Sequence, residues 1–470
     1  MKLLLPYLLP HLTHIFNRIL TTSEFPNSWK LAKVLPIPKS GNELRPICIL
    51  PVLSKAFEKI LSAQITHYIE NNSLISKFQS GFRPRHSCVT ALIHVTEEIR
   101  SAIDSNKVTF LGLLDFSKAF LNVEHIIMIS KLEHKYNFSQ SALNLMKLYL
   151  SNRQQAVDHG GKTSSFIEIK KGVPQGSILG PLLFAMYIDD LPQQLNLAKV
   201  HLYADDVQIY LSCDKTVINN CAIQFNLELS AIKQWADKNG LTLNPSKCKC
   251  LVISKRPVDM ESVPDILIGN DKIELVQSAK NLGVIFNSSL SFDNHIRATL
   301  GKVYGMLRCL WASQSFTPQH IRLLLAKTYL IPVLLYGCEL FANMDSTHKQ
   351  KMNVLYNNIA RYIFDRKRFD SISTYAKQIS GMSFSNLLDF KSLIALQKII
   401  STGQPPYLHE HIQFSLSNRT KQIKPILHKS LVSERHFFVN TIRLWNTLPL
   451  DLQKIRSPSL FKKQLAIKFS

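Results

Sequence analysis

A chain of 470 residues, 46% hydrophobic and 19% charged, is too apolar to be disordered and too long for one hydrophobic core, so several subdomains are expected. Lysine and arginine number 56 against 33 acidic residues; the net charge of +23 points to a polyanionic partner, nucleic acid before membrane. Eight scattered cysteines with no Cys-x-x-Cys pair argue against a disulfide scaffold or zinc finger and favour reduced thiols.

In chain order, MKLLLPYLLPHL has a signal-like apolar run. Pro6 and Pro10 break it and no small-residue cleavage site follows, so it reads as an amphipathic helix running to Leu20. No run of about 18 apolar residues predicts a membrane span. The expected compartment is nuclear or cytoplasmic, not secreted. Phe25 to Leu61 contains Pro36, Pro38, Lys39, a Gly-containing loop and Arg45, which suggests a hairpin carrying basic side chains. Those cations suit a triphosphate; a solvated basic loop is the plainer alternative. Val52–Glu70 reads as a helix. Phe78–His86, FQSGFRPRH, is a loop whose Arg83, Arg85 and aromatics suit a nucleic-acid strand, with a structural loop equally open. Ser87–Ile103 is helical by its apolar spacing.

Val108–Phe120 is an apolar strand ending in one acid, Asp115, and then a tight turn at Lys118–Phe120. Asp115 as a simple helix N-cap is the alternative. Gly172, Gly176 and Gly180 recur at a spacing of four in KKGVPQGSILGPLLF, a loop entering a helix. Glycine lets backbone approach a ligand there, and the helix N-terminus favours phosphate. In VHLYADDVQIYL, Ala204-Asp205-Asp206 falls between two strand-like runs, so a hairpin is expected. Asp205 and Asp206 would point to opposite faces. Paired acids on a buried hairpin call for a cation, although a surface turn also accommodates Asp. Tyr187-Ile188-Asp189-Asp190 carries the same letters. It closes a helical stretch before Leu191-Pro192, where the helix dipole disfavours anions, and is read as a decoy. Asn219–Gly240 is a helix, Leu241–Ser254 a turn and a strand entered by Lys247, and Ser278–Phe292 a hairpin around Leu282-Gly283. Ile296–Trp311 and Thr317–Leu330 are helices. From Asp345 onward 20 basic residues face 7 acidic ones, a net of +13.

Asp115 and Asp205 lie 90 positions apart, so only tertiary structure can join them. Two carboxylate-bearing strands side by side would make a two-metal site for in-line phosphoryl transfer, the ions about 3.5–4 Å apart. The ordered set FPNSWKLAKVLPIPKSG, LRPICILPVLSKAFEKIL, FQSGFRP, LLDFSKAF, GVPQGSILGPLLF, YADD, LTLNPSKC and NLGVIF resembles the reverse transcriptases of non-LTR (LINE-like, jockey-type) retrotransposons. The ending RLWNTLPLDLQ and SPSLFKKQL is similar to that family's C-terminus. A group II intron or telomerase type of polymerase shares the palm, but this C-terminus argues against it.

The resemblance implies an α+β right-hand polymerase with fingers, an antiparallel palm sheet and a thumb, followed by a mostly helical basic C-terminal region. The expected divisions are 1–107 (N-terminal helix and fingers), 108–292 (palm with finger insertions), 293–343 (thumb-like helices) and 344–470 (basic C-terminal domain). It implies RNA-directed DNA polymerase activity with RNA template, DNA primer, dNTPs and two Mg²⁺ ions, Mn²⁺ being the alternative. By similarity Asp115, Asp205 and the backbone carbonyl of Phe116 hold metal, with Asp206 supporting. Phe120 excludes a 2′-hydroxyl, and Lys39 and Arg45 grip the triphosphate. Gln175 and Gly176 line the nascent base pair. Lys247 lies by the pyrophosphate as a general acid, and Leu282-Gly283 grips the primer. Three departures stand out, the first being Asp189 where the family often has Asn. Leu121 occupies a position where the family usually has Asp, and an endonuclease, normally encoded ahead of the polymerase, would have to come from elsewhere. The alternative reading is an inactive or truncated remnant that only binds RNA or DNA.

Overall fold

The computed structural model describes residues 4–39, 43–415, 422–426 and 435–470. Helix α1 (Leu5–Thr22) contains Pro10 and brings Phe16 against Phe57 and Trp29. Strands β1 (Leu31–Pro38) and β2 (Leu44–Ile49) form the expected basic hairpin, with Lys33 opposite Ile49 and Pro38 opposite Leu44. Its tip, 40–42, lies outside the described residues. Then come α2 (Val52–Asn71), α3 (Cys88–Asp104) and β3 (Lys107–Leu114). Ser87 and Thr90 close a reciprocal cap on α3, satisfying amides that would otherwise be orphaned at its start. After α4 (His125–His134) and α5 (Gln140–Leu150), β4 (Arg153–His159) lies parallel to β1 and extends the finger sheet; β5 (Lys162–Thr163) and β6 (Ile167–Ile169) pair with it.

The central sheet is built later in the chain. It follows α6 (Leu179–Tyr187) and uses β7 (Lys199–Tyr203), β8 (Asp206–Asp214), β9 (Lys249–Ile253) and β12 (Glu274–Leu275), in the order β12-β9-β3-β8-β7. Helix α7 (Ile218–Lys238) joins β8 to β9, and β10 (Leu267–Ile268) and β11 (Asp271–Lys272) form a small hairpin. Pairing is antiparallel except at the two-residue edge β12. Alternate side chains feed two separate cores. Phe110, Ile209 and Val252 join Phe225 and Leu229 of α7, while Leu111, Tyr210 and Leu251 join α3 and the helices that follow. Burial on both faces explains why these strands read as continuous apolar runs rather than alternating ones.

Strands β13 (Ser278–Asn281) and β14 (Val284–Asn287) make the second expected hairpin. Beyond it come α8 (Asp293–Trp311), α9 (Gln319–Leu325), α10 (Ile331–Leu334) and α11 (Ser346–Phe364). The basic C-terminal part supplies α12 (Ser373–Ser380), α13 (Phe384–Thr402), α14 (Pro406–His409), α15 (Phe437–Asn446), α16 (Leu450–Gln453) and α17 (Pro458–Phe469). Its core is continuous with that of α3 and α8, so this region packs directly behind the central sheet. Among the described residues all cysteines are free, and no helix is long and apolar enough to cross a membrane.

Candidate active site

The β3–β8 register sets the geometry. Leu114 pairs with Val207, so Asp115 and Asp206 each stand one residue beyond that pair, on adjacent strands. Tyr203 pairs with Asp206, which leaves Ala204 and Asp205 as a two-residue loop. Ala204 has φ +56° and Asp205 is not left-handed, a pattern that matches a type II′ hairpin turn. An alanine in that region is strained, and such strain collects at working sites.

The three carboxyls disturb one another. Burial, then the neighbouring Asp205 and Asp115, push Asp206 up to about 6, although part of the residue reaches solvent. Burial raises Asp205, and Asp115 adds to this, while Lys39 and Arg45 pull it back. Asp115 is raised by burial and lowered by Lys247 and Lys39. The three acids act on one another, and each of the three cations expected from the sequence acts on Asp115 or Asp205. Their donor set is all hard oxygen, and the charges oppose one another until a cation joins them, so the residues fit Mg²⁺ or Mn²⁺. The three carboxylates do not close into one tight cluster. Among the described residues, the set of three metal-type ligands lying within 4.8 Å of one another is Asp293, Asp345 and His348, at the starts of α8 and α11.

Around Asp115 the backbone is pinned on both sides. Asn244 N donates to Asp115 O at 2.9 Å and Ser117 N donates to Thr242 O at 2.8 Å. This bridge does not consume the Phe116 carbonyl. The Asp115 amide donates to the buried Cys248 Sγ at 3.4 Å. Phe120 stacks on Phe184, with ring centroids 4.6 Å apart, and meets the exposed Phe82 edge-on. Leu121 leaves the turn intact: Asn122 Nδ2 donates to Ser117 O at 3.0 Å, and Val173 N donates to Phe120 O.

Several expectations need correction. Arg83 does not offer itself to a nucleic-acid strand. Its guanidinium donates to Glu70 at 2.7 and 2.8 Å and to the Ser76 and Gln79 carbonyls, closing the loop on itself. The α6 N-terminus is not free for phosphate, because the buried Glu58 accepts from Ile178 N at 2.7 Å and Leu179 N at 3.2 Å. Gly176 is required by protein packing. A Cβ there would run into Cys48 O, since Cys48 N donates to Gln175 O at 2.6 Å and docks the loop on β2. Lys39 and Lys247 are engaged with each other's partner: Glu43 lies 3.6 Å from one and 2.6 Å from the other. The decoy reading, by contrast, agrees with the structure: Asp189 is engaged by Lys135 and Ser76 N, and Asp190 by Lys131.

Sequence reasoning missed what holds the Asp205 turn. Gln79 Oε1 accepts from both Gly81 N (2.8 Å) and Ala204 N (3.2 Å). Leu202 N donates to Phe78 O and Ser80 N to Leu202 O, so this segment borders β7 as an extra edge. Ser80 Oγ in turn meets His201 Nε2 at 2.9 Å and Tyr407 Oη at 2.8 Å. At the second hairpin, Leu282 and Gly283 both have positive φ, and Tyr336 Oη donates to Leu282 O at 2.6 Å. Buried Asn281 donates to buried Gln208 at 2.8 Å, which ties that hairpin to β8. The FQSG letters were a visible cue, but their partners are over a hundred residues away.

Right-hand polymerase architecture with an acid-bearing central hairpin defines the class. Residues 37–286 match the family model described as reverse transcriptase (RNA-dependent DNA polymerase), and the chain belongs to that family. It is 31% identical over 380 residues to a probable RNA-directed DNA polymerase from transposon X-element of Drosophila melanogaster, covering 75% of this chain and 40% of that protein. It is 28% identical over 379 residues to the RNA-directed DNA polymerase from mobile element jockey of the same fly, covering 77% and 40%. The chain thus spans about 40% of the length of these curated relatives. Among solved structures, telomerase from Candida Tropicalis in complex with a fragment of telomeric RNA aligns with TM-score 0.42 at 9% identity, covering 96% of this chain and 67% of that one.

Proposed function

We propose that this chain is an RNA-directed DNA polymerase of a non-LTR retrotransposon, extending a DNA 3′-hydroxyl with dNTPs on an RNA template. The observation that carries it is the strand register that sets Asp115 beside Asp206 at the Asp205 turn, with Lys39, Arg45 and Lys247 acting on Asp115 or Asp205. Phosphoryl transfer needs positioning and charge neutralisation more than covalent help, and this arrangement offers both. Asp115, Asp205 and the Phe116 carbonyl would hold two Mg²⁺ ions, with Asp206 supporting. Bound there, the metal supplies neutralisation of the triphosphate and a more acidic primer hydroxyl.

The chain's own residues do the rest. Arg45 and Lys39 orient the triphosphate, with Glu43 giving way. Phe120, held against Phe184, leaves no room for a 2′-hydroxyl. Gln175 and Gly176 lie along the template, and the Leu282-Gly283 turn holds the primer end. Lys247, paired with Glu43 until the nucleotide displaces that carboxylate, carries its proton to the departing pyrophosphate.

The test is dNTP incorporation on primed RNA with Mg²⁺. The wild type should extend, and Asp205→Ala should lose at least ~10²-fold in rate, in the range seen when one preorganised electrostatic contact to a transition state is removed. No extension by the wild type, or equal extension by the variant, contradicts the proposal and favours a binding-only remnant.

A further inference from the structure

At the far end of α8 from the second hairpin lies a cleft of about 600 Å³. Helix α8 has 19 residues, so the cleft is roughly 28 Å from the hairpin at 1.5 Å per residue. It is lined by Trp311, Val354, Asn357, Asn358, Arg361, Arg366 and Arg368. The residues of α11 among them recur at helical spacing, so one helix face forms a wall. Three guanidiniums line the cleft and no carboxylate does. Among the described residues, none of the three has an acidic partner within 4.0 Å. Arg361 is held by Asn358 Oδ1 at 3.1 Å and the Lys367 carbonyl at 3.3 Å, and Arg366 stacks over Tyr375 at 4.4 Å. Their directions are set although no anion is matched to them.

The aromatic content is equally unusual. Trp311 is 39% exposed, while Trp29, Trp235 and Trp445 are buried. The segments that follow α8 and α11 carry Phe316 and Phe369, 88% and 93% exposed. Trp311 in the lining with three guanidiniums, and Phe369 with Arg368 5.9 Å from its ring centroid, suit bases and phosphates together. The two amide side chains suit base edges. The volume falls in the range that encloses a drug-sized ligand, ~300–1,000 Å³, which a nucleotide matches and a duplex does not.

We propose that this cleft is a second nucleic-acid site, taking single-stranded polynucleotide with a base on Trp311 and phosphates on Arg361, Arg366 and Arg368. It rests on the polymerase reading only for the source of the strand. Placed away from the aspartates, it would hold template beyond the copying site.

The test is Trp311 fluorescence on the full chain carrying Asp205→Ala, titrated with oligo(U) or oligo(dT) of about eight nucleotides, within the usual ~4–16 nucleotide sites. Saturable quenching should occur and vanish in Trp311→Phe. Arg366→Ala/Arg368→Ala should weaken it at least tenfold, and the slope of log K against log salt should fall by roughly 0.7 for each phosphate that is no longer neutralised. A preference for oligo(U) assigns RNA, and for oligo(dT) assigns DNA. Arg368→Glu, with unchanged melting temperature, guards against misfolding. No quenching, unchanged affinity in both arginine variants, or quenching by duplex alone would overturn the site. Quenching without primer extension by the wild type would overturn the polymerase reading and leave this site standing.

Discussion

Glu43 holds two lysines at once, Lys247 Nζ at 2.6 Å and Lys39 Nζ at 3.6 Å. Its hydrogen bond and ion pair with Lys247, and then Lys39, keep its carboxyl below the ordinary range. Both lysines also act on Asp115, so Glu43 sits where a triphosphate would need to be. A nucleotide would have to displace it, and Glu43→Gln should lower the apparent KM for dNTP several-fold with kcat little changed. Steady-state extension at varied dNTP would show this, and a raised KM would mean that Glu43 helps to build the site. Gly81 is constrained differently. A Cβ there would run into Ala204 N, a clash with rigid backbone. Gly81→Ala should cost about 1–3 kcal/mol, as overpacking does, measurable by chemical denaturation. It should also slow extension more than tenfold by shifting the Asp205 turn.

At the scale of elements, the acid-bearing hairpin is a short turn gripped from outside its own strands. The FQSG segment borders β7, and Tyr407 of α14 reaches Ser80 within that segment. The C-terminal region therefore buttresses the acid-bearing turn from behind. Tyr407→Phe removes one buried hydroxyl and should cost about 0.5–1.5 kcal/mol. If the buttress matters for catalysis, kcat should drop while KM for dNTP stays the same. An unchanged kcat would confine Tyr407 to stability. Much of this scale was legible locally. The decoy at Asp189-Asp190 differs from the Asp205-Asp206 turn in its neighbours, a helix ending at Leu191-Pro192 against two strand-like runs. By contrast Arg83 reads as a free cation, because nothing near it announces that Glu70, thirteen residues earlier, will fold back onto it.

Across the whole molecule, the junction between the central sheet and the C-terminal region contains buried histidines. His94 and His201 have ring centroids 5.2 Å apart, and Tyr407 touches both, with His86 at its edge. Burial, the largest cause, holds His86 and His94 down at about 4 and His201 well below its ordinary value. An unfolded histidine titrates near 6.5. Below that pH the unfolded chain binds protons that the folded chain refuses, so stability present above pH 6.5 is lost as pH falls toward 4. The aspartates of the candidate active site, raised in the fold, work in the opposite sense. The informative quantity is thus the stability difference between the wild type and His94→Phe. It should shrink between pH 6.5 and 4 by up to about 3 kcal/mol, read from denaturation at several pH values. A difference independent of pH would show that His94 is not neutral in the fold.

The sequence by itself determined the local features: the strand that ends at Asp115, the hairpin at Asp205, the second hairpin at Leu282-Gly283, and the order of motifs that marks the family. Each is written in a few neighbouring residues, through apolar periodicity and turn chemistry. Only the tertiary structure decided which cations face the aspartates, that Glu43 stands between Lys39 and Lys247, that Glu58 fills the α6 terminus, and that Tyr407 braces the turn. Those pairings join residues tens to hundreds of positions apart. Burial and close approach select them once the chain is packed, and they leave no period in the local pattern.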